Sequence, residues 1–261
     1  ENDNPTLLVL SSDHEIKNND YFLKAIKSGL SYIKDDGLVT FGVIPTSSET
    51  GFGYIEAQDI LDIKEIKGSV ISKFIEKPSL EKAKKFIKDK KYSWNSGIFL
   101  FKAKTIIKYI KQYSPNVYKY CKEALKGNLF DLDFQRVNKL VFKNCPNISI
   151  DYAVMEKTSK GFVVPLISEW KDLGSWNSVW ESSKKDNNGN FTKGKVIVKD
   201  TKNSYLLSES RLIVSLGLNN LIAVETSDAI LITNKDNSQN VKDVVSILKD
   251  KKLKEGIEHQ K

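Results

Sequence analysis

The sequence predicts an α/β fold followed by a small β-rich appendage, and two observations carry that reading. Residues 7–10, Leu7-Leu8-Val9-Leu10, form a continuous apolar run, residues 21–33 show a helical apolar face, and residues 38–44 form a second apolar run. The chain therefore opens strand, helix, strand. Beyond the polar, turn-rich Asp186-Asn187-Asn188-Gly189-Asn190, short strand-like segments follow one another closely, separated by turn residues. The organisation expected is an α/β domain over residues 1–188 and a β-rich appendage with a terminal helix over 189–261.

The first apolar run reads as a strand buried on both faces in a parallel sheet. Its polar end, Ser11-Ser12-Asp13-His14, then falls at the carboxyl edge, where open α/β sheets bind ligands. The helix at 21–33 places Phe22, Leu23, Ile26, Leu30 and Ile33 on one face, with Asn19 or Asp20 available as its cap. Residues 45–53 form a loop of small and polar residues. Residues 70–75 read as a strand, ended by Pro78-Ser79, which opens a lysine-rich helix to Lys90. A short strand at 97–101 precedes helices at 105–111 and 115–125, and a third helix is expected at 134–140. Strands fit 148–150 and 162–166, followed by a loop at 170–175 and a helix at 176–184. In the appendage, strands are expected at 195–198, 204–207, 212–216, 221–224 and 229–232, arranged as a solenoid-like roll. An amphipathic helix at 241–253 follows.

Hydrophobic residues make up 40% and charged residues 28% of the 261-residue chain, ordinary values for a globular protein able to bury a real core. No apolar run approaches the roughly 20 residues needed to span a bilayer, and the start, Glu1-Asn2-Asp3-Asn4-Pro5, does not resemble a signal peptide. A cytoplasmic location and no membrane partner are expected. The net charge of +8 is almost all lysine, with Arg136 and Arg211 the only arginines. Readers of nucleic acid lean on arginine for bidentate contacts, so no nucleic-acid partner is expected. Cys121 and Cys145 lack partnered His or Cys spacing and suggest neither a disulfide framework nor a metal cluster. The only methionine is Met155, so sequence upstream of Glu1 is expected.

Several positions can carry chemistry, each with a plainer alternative. Asp13 ends an apolar strand and Asp172 lies in Trp170-Lys171-Asp172-Leu173-Gly174-Ser175-Trp176; alone, one would cap a turn and the other sit in a loop. Glu76 and Lys77 close Phe74-Ile75-Glu76-Lys77-Pro78, where neighbouring strand side chains diverge and can meet a hydroxyl and an anion. The alternative is an exposed ion pair worth about 0 to 1 kcal/mol. Gly51 and Gly53 in Glu49-Thr50-Gly51-Phe52-Gly53-Tyr54 allow close backbone approach, or make a plain turn. Asn95, in Trp94-Asn95-Ser96-Gly97, is a polar residue before a buried strand, or a turn residue. Asp151, in Ser149-Ile150-Asp151-Tyr152-Ala153-Val154-Met155-Glu156-Lys157, opens a helix or is its N-cap.

In this order and at these intervals the strings resemble those of the sugar-nucleotide pyrophosphorylases, in particular the mannose-1-phosphate guanylyltransferases. The resemblance runs along essentially the whole chain. It implies a Rossmann-like nucleotidyltransferase fold of the glycosyltransferase-A kind, a mixed sheet flanked by helices, with a β-helix-like appendage. It implies nucleotidyl transfer from GTP to mannose 1-phosphate, with Mg²⁺ as cofactor and a homodimer as candidate assembly. By the same resemblance Asp13 and Asp172 are metal ligands and catalytic, and Lys77 is catalytic by neutralising the sugar phosphate. Gly53, Glu76, Asn95 and Asp151 are the substrate-binding candidates, with Glu76 accepting hydrogen bonds from sugar hydroxyls. Ser11 stands where the family usually has proline. Neither the family's glycine-rich G-G-x-G-x-R-L-x-P nucleotide loop nor the cupin barrel of its bifunctional relatives lies within residues 1–261. A second reading is therefore a non-catalytic sugar-phosphate-binding or regulatory subunit of the same fold.

Overall fold

The computed structural model describes residues 3–127 and 129–257; Glu1, Asn2 and the terminal Glu258-His259-Gln260-Lys261 lie outside them. The chain forms two compact units, residues up to Ser12 with Ile16–Trp170, and Asp13–Glu15 with residues from Lys171 onward. In chain order the first part comprises β1 (Thr6–Val9), β2 (His14–Ile16), α1 (Asn19–Tyr32), β3 (Leu38–Val43), β4 (Tyr54–Ala57), β5 (Ser69–Ile75), α2 (Leu80–Phe86) and β6 (Tyr92–Lys102). Then come α3 (Ala103–Tyr113), α4 (Pro115–Ala124), β7 (Leu129–Asp131), β8 (Phe134–Arg136), α5 (Lys139–Phe142), a π-helical turn at Asp151–Met155, β9 (Gly161–Leu166) and β10 (Trp170–Asp172). β2 pairs with β10, and each of these short strands has residues in both units.

The first unit is built on a mixed sheet in the order β1-β6-β3-β9-β5-β4, with β6 also pairing β4. β3 and β9 are parallel, and the other pairs are antiparallel. The expected βαβ start is present with β6 inserted between β1 and β3, both of which run antiparallel to it. β1 itself corrects the sequence reading: among the described residues it pairs β6, antiparallel, and Leu7 and Val9 are 37% and 43% exposed. β3 has strands on both sides and is buried almost throughout, which its uninterrupted apolar run requires. Successive side chains point to opposite faces. Leu38, Phe99 and Phe101 pack with Ile106 and Tyr109 of α3, while Val39, Phe41, Ile98 and Leu100 pack with Ala25 of α1.

Several local expectations are corrected. Asn18, not Asn19 or Asp20, caps α1, its side chain accepting from Tyr21 N at 3.3 Å. α2 stops at Phe86 rather than Lys90. The helix expected at 134–140 is instead the β7–β8 hairpin followed by the short α5. Phe130 lies opposite Gln135 and Asp131 opposite Phe134, with Leu132 in the turn at φ +54°, and Arg136 pairs with Asp131 across the ribbon at 2.8 Å. No strand forms at 148–150, because Ser149 instead starts the helical turn by accepting from Ala153 N at 2.9 Å.

The second unit holds α6 (Trp176–Ser182), β11 (Phe191–Lys193), β12 (Val196–Lys199), β13 (Tyr205–Ser208), β14 (Ile213–Leu216), β15 (Leu221–Glu225), β16 (Ile230–Asn234) and α7 (Val241–Asp250). β11, β13 and β15 stack in parallel register, as do β12 and β14, and β16 closes antiparallel on β15. Parallel rungs of consecutive short strands are the solenoid-like roll the sequence predicts. Inside it Phe191 stacks on Tyr205, and Trp176, Val179 and Trp180 of α6 cover Tyr205, Ile222 and Val224.

Candidate functional site

In the first unit, four of the sequence-derived candidates meet where β4, β5 and β6 run side by side. Tyr54 lies opposite both Ile75 and Trp94, so the residues flanking these positions, Gly53, Glu76 and Asn95, are brought together by register. Gly53 O accepts from Asn95 N at 2.8 Å. A Cβ on Gly53 would lie 2.6 Å from Glu76 Oε2, so the carboxylate occupies the space that glycine leaves open. Gly51 has nothing within 4 Å of the same point, which separates the two glycines of the loop. Phe52 between them packs edge-on against Trp94 and Trp170 and anchors the loop.

Asn95 is held from three sides. Between the Thr40–Phe99 and Gly42–Asn95 pairs the chain advances two residues on β3 and four on β6, a bulge at which Gly97 takes φ +68°. Such bulges re-aim a side chain. Asn95 Oδ1 accepts from Thr40 Oγ1 at 2.9 Å and Gly97 N at 3.3 Å, and Asn95 Nδ2 donates to Asp151 Oδ1 at 3.0 Å. Asp151 is thus not an N-cap: it stands inside the Asp151–Met155 turn with its carboxylate on Asn95.

Three carboxylates share this neighbourhood. Burial pushes Asp151 up from the usual carboxylate range, with the Asn95 hydrogen bond opposing. Burial, then the Asp151 charge, raises Glu76, and the same two causes raise Glu156. Lys77 Nζ stands 3.7 Å from Glu76 Oε1; the lysine side chain is 65% exposed and the glutamate 18%. Lys77 has φ +44°, a left-handed backbone that lysine seldom adopts. Such local strain is tolerated where surrounding structure enforces it and is enriched at functional sites. A cavity of about 420 Å³ opens beside Glu76, lined also by Tyr152, Glu156, Lys73 and Lys82. Half-buried carboxylates and the Asn95 amide next to the exposed Lys73, Lys77 and Lys82 suit a polyhydroxylated anion.

Asp13 and Asp172 lie in the second unit. Leu173 N donates to Asp13 O at 2.9 Å, so the two aspartates sit on adjoining backbone segments despite their separation in sequence. Asp172 Oδ1 accepts from Gly174 N at 2.7 Å, which fixes the turn before α6. Ser175 then caps that helix through Ser178 N at 3.2 Å. Among the described residues no three His, Cys, Asp or Glu side chains gather as a metal cluster. Two carboxylates offer oxygen donors alone, a set that fits Mg²⁺, which keeps waters and substrate oxygens in most of its octahedron.

Thr40 is the site residue that sequence reasoning missed. Its signal was present: it is the one hydroxyl in Leu38-Val39-Thr40-Phe41-Gly42-Val43, fully buried, where a polar group must find a partner.

A family model described as nucleotidyl transferase matches residues 1–189, and one described as MannoseP isomerase/GMP-like beta-helix domain matches residues 194–248. The chain is 40% identical over 262 residues to a mannose-1-phosphate guanylyltransferase of Escherichia coli, covering 99% of this chain and 56% of that protein. It is 44% identical over 260 residues to one of Salmonella montevideo, covering 98% and 55%. A crystal structure described as mannose-1-phosphate geranyltransferase from Thermus thermophilus superposes with a TM-score of 0.76 at 28% identity, over 94% of this chain and 70% of that one. The chain spans about half the length of the curated relatives it matches. It belongs to the nucleotidyl transferase family and is similar, along nearly its whole length, to mannose-1-phosphate guanylyltransferases.

Proposed function

We propose that the protein carrying this chain transfers a guanylyl group from GTP to mannose 1-phosphate, giving GDP-mannose and pyrophosphate. The observation that carries this reading is the Gly53–Glu76–Asn95–Asp151 cluster, with Lys77 beside it. Its similarity to named guanylyltransferases supports the choice of sugar and base.

In this reading the sugar phosphate lies with its hydroxyls toward Glu76 and Asn95 and its phosphate toward Lys77. A phosphate oxygen attacks the α-phosphorus of GTP and pyrophosphate leaves, so no residue becomes a covalent nucleophile. The task of the protein is to align two anions and offset their repulsion. Thr40 and Asp151 fix the Asn95 amide, so it costs little reorganisation when a hydroxyl arrives. Asp13 and Asp172 would hold Mg²⁺, which when bound supplies positive charge to the phosphates. A cytoplasmic location goes with this reading, since GTP is a substrate drawn from that compartment.

Titration calorimetry of mannose 1-phosphate, glucose 1-phosphate and inorganic phosphate into the protein tests the site. Binding in which Glu76→Gln loses affinity for the mannose ester but not for inorganic phosphate is expected. Equal affinity for all three, unchanged by Glu76→Gln, would remove Glu76 from sugar recognition.

A further inference from the structure

The two cysteines of the chain, which spacing alone leaves unrelated, meet in the fold. Cys121 lies near the end of α4 and Cys145 just beyond α5, 24 positions apart, and their sulfurs are 4.0 Å from each other. Neither is in a disulfide in this structure, and both are half-buried. The approach is enforced by backbone: Asn138 N donates to Ala124 O at 2.8 Å, joining the start of α5 to the end of α4, and Cys145 N donates to Phe142 O at 2.9 Å. Two thiols without a third His, Cys, Asp or Glu among the described residues make a poor metal centre.

We propose that Cys121 and Cys145 are a reversible disulfide site, oxidised by small-molecule disulfides, that staples α4 to the end of α5. A disulfide needs sulfurs at about 2.05 Å, so closure brings two sulfurs that already stand 4.0 Å apart into bonding distance. One cysteine thiolate attacks a sulfur of the small disulfide RSSR, forming a mixed disulfide and expelling RS⁻. The second cysteine thiolate attacks the protein sulfur of that adduct, the intramolecular bond forms, and another RS⁻ leaves. The two thiol protons go to the two RS⁻, so two electrons pass from the protein to RSSR and two RSH are released. Burial, then the adjacent sulfur, hold Cys121 above the ordinary thiol range, so it rests protonated when reduced.

The staple closes a loop that contains the β7–β8 hairpin. It also joins a helix whose N-cap is Ser114, and the Ser114 hydroxyl donates to Ala153 O at 3.2 Å in the turn bearing Asp151. This site depends on sulfur geometry alone and stands apart from the proposed reaction.

The test incubates the whole protein in glutathione buffers from fully reduced to fully oxidised, followed by acid quench, alkylation and peptide mass mapping. The expected result is paired loss of both thiols, one peptide linking Cys121 to Cys145 within a chain, and reversal by dithiothreitol. The oxidised form should melt higher and resist cleavage in the hairpin. Cys121→Ser and Cys145→Ser should each abolish the link and leave a glutathione adduct on the remaining thiol. Thiols that stay free in the oxidised buffer, two separate glutathione adducts on the wild type, or a link between chains would overturn the proposal. The wild-type map decides even if a serine variant fails to fold.

Discussion

Gly53→Ala isolates the placement of one carboxylate. The added methyl carbon would stand 2.6 Å from Glu76 Oε2, while its next neighbours, Asn95 Cβ at 3.4 Å and Phe74 Cε1 at 3.5 Å, are already at ordinary contact distance. Only the tip of Glu76 must therefore yield, by about 0.8 Å to reach that contact distance. A side-chain tip half open to a cavity moves cheaply, so stability should change by less than about 1 kcal/mol. Binding should suffer more, because a charge-assisted hydrogen bond is worth about 1.5 to 3 kcal/mol. Losing most of it lowers affinity roughly 10- to 100-fold. Calorimetry of mannose 1-phosphate binding and thermal melts of wild type, Gly53→Ala, Glu76→Ala and the double variant measure both. The double variant should bind no worse than Glu76→Ala, since the methyl then displaces nothing. Gly51→Ala, with open space around the same position, should match wild type. Unchanged affinity in Gly53→Ala, or a double variant much weaker than Glu76→Ala, would refute the reasoning.

Thr40→Val keeps the shape of a buried residue but removes the donor to Asn95 Oδ1; a stability loss of about 1 kcal/mol and weaker sugar-phosphate binding are expected, with Thr40→Ser restoring both. Asp13→Asn and Asp172→Asn should each cut Mg²⁺-dependent turnover severely and combine far less than additively, as for one functional unit; kinetics of the single and double variants across a Mg²⁺ series check this. In the second unit, buried Glu225 accepts from the Ser210 hydroxyl, the backbone N–H groups of Ser210 and Arg211, and Arg211 Nη1, and these hydrogen bonds, the Ser210 hydroxyl's first, hold it down at about 2. Its folded value lies below its ordinary 4.5, so its contribution is full above about 4.5 and is lost as pH falls through about 2. Acid melts followed by fluorescence of the tryptophans in the second unit should show that limb in wild type and a flatter one in Glu225→Gln. Glu76 and Asp151 carry the opposite sign: their raised values mean ionisation opposes the fold, so Asp151→Asn should lose least stability on the alkaline side of that titration.

β3, β9 and the rungs at β13 and β15 were legible because each is a short run whose apolar pattern matches how it is buried. The candidate cluster was legible as strings, since Gly53 and Glu76 flank β4 and β5, Asn95 lies within β6, and register aligns the three. What escaped depends on contacts distant in sequence. The antiparallel pairing of β1 with distant β6 is one such contact, and the Asn95–Thr40 bond spans 55 residues across a bulge. The hairpin at 129–136 competed with a helical pattern and won through cross-strand pairing, including Asp131 with Arg136. The cysteine pair had no motif because a hairpin of arbitrary length separates its members.

The most direct test of the functional claim is pyrophosphate release by the full-length protein that carries this chain, with kcat/KM measured side by side for three substrate pairs. A site that hydrogen-bonds one hydroxyl can reject its epimer strongly, because the protein groups that meet it are left unpaired. Mannose 1-phosphate with GTP should therefore exceed glucose 1-phosphate with UTP or dTTP, and Glu76→Gln should narrow the margin. Equal or better use of glucose 1-phosphate with UTP, or no pyrophosphate release from any pair, would contradict the account.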